Sequence, residues 1–93
     1  MTELIVTLVL LRLEVVLERH GSSRSRFYDA ITKGMMVPPV KRGKISLWPA
    51  HEIEALNRAE TAGASAEEIR ALVKQLLAQR AAMKPKLAAE EAA

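Results

Sequence analysis

The sequence predicts a mainly α-helical fold with one small β-hairpin. Three observations carry this. Apolar residues recur at helical spacing in four separate stretches, about 12–19, 24–33, 50–62 and 66–83. Between the second and third, Pro38 and Pro39 forbid helix, and Val40 and Ile45-Ser-Leu-Trp48 flank a tight Arg42-Gly43-Lys44 turn. Gly21, Gly34 and Gly63 stand where three of the helices should stop.

Taken in order, residues 4–10 (LIVTLVL) are rich in β-branched side chains and read as a strand. From Arg12 to Arg19 the period turns helical, with Leu13, Val16 and Leu17 on one face, and Gly21 suits a left-handed stop. Ser22 or Ser23 caps the next helix, whose inner face is Phe27, Ala30 and Ile31. Helix, short turn and helix form a helix-turn-helix, and a hairpin directly after it is a wing. Pro49 opens a third helix carrying Ile53 and Leu56. Ser65-Ala-Glu-Glu68 is a capping box for a fourth, with Ile69, Leu72, Val73, Leu76 and Leu77 in a stripe and Pro85 as its end. The reading is a winged helix-turn-helix plus a C-terminal helix. Residues 1–11 form an apolar extension (a strand or an oligomerisation arm), 12–62 the winged domain, 63–84 the amphipathic helix and 85–93 a frayed tail.

Composition narrows the chemistry. Ninety-three residues suggest one domain with a modest core. The absence of cysteine excludes disulfides and thiolate metal sites and fits a cytosolic setting. His20 and His51 have no metal-type spacing to a partner, no Gly-rich phosphate loop is present, and no base is positioned for the serines at 22–25. Neither a metal, a cofactor nor catalysis is expected. The apolar start is too short to span a bilayer and lacks a basic leader and cleavage site, so a soluble, unprocessed protein without membrane contact is expected.

Charge points to a polyanion. The net value is only +3, but residues 12–44 hold eight Lys or Arg against three acids, a local +5. Concentration in one third of the chain suggests nucleic acid, with a solvated basic face as the plain alternative. On the second helix, Arg24, Ser25, Tyr28, Asp29 and Thr32 share the side opposite Phe27 and Ile31. Arg24 suits guanine O6 and N7, Ser25, Tyr28 and Thr32 suit phosphates or base edges, and Arg26, off to one side, suits a phosphate. Ser23 adds a hydroxyl at the helix start. The wing tip Lys41-Arg42-Gly43-Lys44 is a slender cationic loop fit for a minor groove. Trp48 reads as a core anchor with Leu13, Val16, Phe27, Ile31 and Ile53, not as a base-stacking platform.

The stretches RLEVVLERHGSSRSRFYDAITKG and PPVKRGKISLWPAHEIEALNRA resemble the AlpA-like phage regulatory proteins, which are close in fold to excisionases and to the MerR-type winged helix. The matching positions, over about 12–60, are Arg12, Leu13, Gly21, Ser23, Arg24, Ser25, Tyr28, Gly34, Pro39, Val40, Lys41, Gly43, Trp48 and Ile53. Ser22, Met36-Val37 and a hairpin one residue shorter depart from the pattern. The resemblance implies a bacterial, cytoplasmic, nucleoid-associated protein of a mobile element that binds double-stranded DNA. Members act as transcriptional regulators or as excisionases, which assemble beside attachment sites, bend DNA and direct an integrase towards excision. Small size, no effector domain and two apolar extensions able to join protomers head to tail favour the excisionase. The alternatives are a regulator of integrase and excision genes, and an interaction adaptor that binds no DNA.

Overall fold

The structure, a computed structural model, is described for residues 8–92, and for the side chains of residues 8–83. Its elements are β1 (Leu10–Arg12), α1 (Leu13–His20), α2 (Arg24–Thr32), β2 (Val40–Arg42), β3 (Ile45–Pro49), α3 (Ala50–Thr61) and α4 (Ala66–Ala92). Four helices and a three-stranded antiparallel sheet of order β1-β3-β2 make a mostly helical α/β domain.

The third strand corrects the sequence reading. The strand expected over 4–10 falls mostly outside the described residues. The observed one runs Leu10–Arg12, so Arg12 ends a strand and is at the same time the N-cap of the helix that the sequence placed from this residue. Residues 10 and 11, expected in an extension, belong to the sheet: Leu10 pairs with Pro49, Leu11 with Trp48 and Arg12 with Leu47. The Ala50 N–H also donates to the Val9 carbonyl at 2.8 Å. Local composition cannot report a partner strand so far along the chain.

Helix ends follow their residues. Gly21 adopts φ 75°, and its N–H donates to the Leu17 carbonyl at 2.8 Å, ending α1. Ser23 is the cap of α2, its Oγ accepting from the Arg26 N–H at 3.3 Å, while the Ser22 hydroxyl bonds His20 Nδ1. Ser65 and Glu68 form the reciprocal capping box at 2.8 and 3.1 Å. Pro85 does not end α4, which continues to Ala92. Proline removes one N–H, but Ala, Leu, Lys and Glu on both sides are among the strongest helix formers.

The core gathers Val16, Phe27, Met36, Val37, Trp48, Ile53, Leu56 and Ile69, with Leu13 and Ile31 half-buried against it. Trp48 is fully buried, edge-on to Phe27 with ring centroids 5.3 Å apart, and its Nε1 donates to the Val37 carbonyl at 3.1 Å. Met36 and Val37 are therefore core residues that fix where the hairpin leaves the body. On α4, Ile69, Val73 and Leu76 are buried, so its apolar stripe covers this core.

Two helices brace the other two. Asn57 of α3 donates to the Arg19 carbonyl at the end of α1 (3.1 Å), and Arg70 of α4 donates to the Lys33 carbonyl at the end of α2 (3.0 Å). The firmest tie is an ion pair. Glu52, 1% exposed, accepts from Arg80 Nε at 2.9 Å and Nη2 at 2.6 Å, and the same Nη2 donates to the Pro38 carbonyl at 2.9 Å. One guanidinium thus joins α4, the start of α3 and the root of the hairpin.

Candidate nucleic-acid interface

α2 is pinned from below and open above. Phe27 is completely buried, whereas Ser23, Arg24, Ser25, Arg26, Tyr28, Asp29 and Thr32 are exposed. Not all of them are equally available. Asp29 pairs with Lys33 at 2.9 Å, one turn on, so each neutralises the other locally. Thr32 Oγ1 donates to the Tyr28 carbonyl at 3.1 Å, leaving its oxygen as an acceptor only. Ser23 already uses its oxygen as the cap. Tyr28 stands 38% exposed, edge-on to Phe27 and Trp48, so its ring is held against the core while part of the side chain stays open. Arg24 and Arg26 have no ion-pair partner among the described residues.

The hairpin presents its charges at the tip. Val40 pairs with Leu47, Lys41 with Ser46 and Arg42 with Ile45, leaving Gly43 and Lys44 as a two-residue turn. Gly43 has φ 64°, a first turn position that favours glycine. Lys41 Nζ donates to Ser46 Oγ at 2.9 Å, whereas Arg42 and Lys44 are exposed and without ion-pair partners among the described residues.

Helix and hairpin meet across one cleft. Arg12, Leu13, Glu14, Arg24, Tyr28, Lys44, Ile45 and Ser46 line a concavity of about 280 Å³. Of the residues predicted from sequence, it brings together Arg24, Tyr28 and Lys44. It leaves Ser25, Asp29, Thr32, Lys41, Arg42 and Gly43 outside, and Arg26 lines a separate hollow with His20, Gly21, Ser22, Ser23 and Glu60. Arg12 and Ser46 were not among the predicted site residues. The sequence signals for Arg12 were that the basic third of the chain begins with it and that it is among the positions carrying the resemblance.

Among the described residues, no group of three or more His, Cys, Asp or Glu could hold a metal ion, and no helix is long and apolar enough to cross a membrane. Compared with protein families, with curated proteins and with solved structures, the chain gives no match, which leaves the chemistry of this face to carry the functional reading.

Proposed function

We propose that this chain is a winged helix-turn-helix protein that binds double-stranded DNA sequence-specifically, with α1 and α2 as the helix-turn-helix, α2 as the recognition helix and the β2–β3 hairpin as the wing. One observation carries the reading: an outward face of α2 whose Arg24 has no ion-pair partner among the described residues stands beside a hairpin tip whose Arg42 and Lys44 have none either. A helix suits the major groove, and a narrow cationic turn suits the adjoining minor groove. Arg24 and Tyr28 read or grip the groove edge, Ser25, Asp29 and Thr32 flank them, and Arg26, Lys41, Arg42 and Lys44 meet phosphates.

The role we favour is that of an excisionase in a mobile element, assembling along DNA and turning an integrase towards excision. Its support is the sequence resemblance together with apolar surface away from the basic face. Leu8 and Met83, each nearly half exposed, rim a hollow with Leu10, Val40 and Pro49 that a neighbouring protomer could cover. An excision assay in cells lacking the protein tests the role. Loss of excision, restored by the wild-type chain but not by Arg24→Ala, is expected. Unchanged excision with altered transcription of the integrase gene supports the regulator instead. No binding to any duplex at low salt favours the adaptor.

A further inference from the structure

We infer that the cleft between β1, α2 and the hairpin tip seats a single backbone phosphate of duplex DNA, held by Arg12 and Lys44 from opposite sides. This rests on the DNA-binding reading above and adds to it a contact from a third element.

Arg12 is exposed, has no ion-pair partner among the described residues, and lines the same concavity as Arg24 and Lys44. Its backbone is fixed on both sides, since it pairs with Leu47 in the sheet and α1 begins at the next residue. Lys44 belongs to the two-residue turn. Among the described residues Glu14 is the one carboxylate on the rim, and it lies within ion-pair distance of none of the three cations. The cleft thus keeps an excess of positive charge for an anion. Ser46 adds a donor: its oxygen accepts from Lys41, which leaves its own O–H free to point into the cleft.

The location selects a phosphate over a base. If α2 lies in a major groove and the hairpin tip in the neighbouring minor groove, a sugar–phosphate strand must pass between them. The cleft occupies that gap. A guanidinium fork takes two phosphate oxygens at once, and an ammonium takes the same group as a point charge.

The test is a salt titration of binding to a labelled mixed-sequence duplex, using wild type, Arg12→Gln, Lys44→Gln and the double variant. Glutamine keeps much of each side chain's aliphatic stem, and melting curves check that the fold is unchanged. The double variant should lower the log–log salt slope by about 0.9, one phosphate's worth. Its affinity loss between 50 and 200 mM salt should then be about 3.5-fold smaller than wild type's. The preferred sequence should not change, and Arg12→Lys should keep the wild-type slope. A folded double variant with the wild-type slope overturns the phosphate seat and leaves the DNA reading standing. A double variant whose slope falls by about 1.8 overturns the shared seat, because the two cations then meet separate phosphates. A wild-type chain that binds no duplex overturns the DNA reading and the seat with it.

Discussion

On the side built by α3 and α4, charge that goes below the surface is matched: the Glu52 carboxylate is held by the Arg80 guanidinium, and no buried side-chain nitrogen or oxygen among the described residues lacks a hydrogen-bond partner. On the side built by α2 and the hairpin, Arg24, Arg42 and Lys44 stand in solvent with no carboxylate within ion-pair distance among the described residues. The contrast separates two uses of the same side chain. Arg80 is spent inside the molecule, where an unmatched charge costs several kcal/mol. Arg24 is left unmatched at the surface, where like charges repel one another and only an outside anion relieves them.

Removing Arg80 should hurt most. Arg80→Ala strands a carboxylate that is 1% exposed, and about 3–5 kcal/mol of unfolding free energy should be lost in a denaturant titration. Because domains hold only about 5–15 kcal/mol in total, this one change approaches unfolding. Phe27→Ala should cost a comparable amount, about 3–5 kcal/mol, but with a second symptom. Phe27 is the floor of α2, so whatever remains folded should also bind duplex DNA poorly, measured by gel shift at a temperature well below melting.

Arg24→Ala should do the reverse: an unchanged melting temperature, with about 1–3 kcal/mol lost from binding and relaxed base preference at one position in a site-selection experiment. Retained preference at every position would show that α2 is not the reading element. The smallest effect belongs to Arg42→Ala, which should weaken binding uniformly across sequences and lower the salt slope by about 0.9 or less. A change in stability greater than in binding for either arginine would erase the distinction between the two sides.

What the sequence made legible was what depends on neighbours along the chain. Gly21 as a helix stop, a serine cap at Ser22 or Ser23, the Ser65–Glu68 box and the turn at Gly43 are each encoded within a few residues. The alternation of Phe27 with exposed neighbours separated the inner face of α2 from its outer face. What escaped depends on distant pairing. Arg12 reads locally as the start of a helix, which it caps, but only its pairing with Leu47 also makes it the end of a strand lining one cleft with Lys44. Glu52 looks like an ordinary acid near a helix start, yet Arg80, on another helix, draws it into the interior. Met36 and Val37 look like connection and prove to be core, because they join the same buried cluster as Trp48, whose Nε1 donates to the Val37 carbonyl.

The open basic face is the centre of this account, and one titration addresses it: anisotropy of a labelled mixed-sequence duplex with the wild-type chain from 50 to 200 mM salt. Several phosphate contacts together should make affinity fall steeply, by about 3.5-fold for each contact over that range. Absence of binding at 50 mM, or an affinity indifferent to salt, would contradict it.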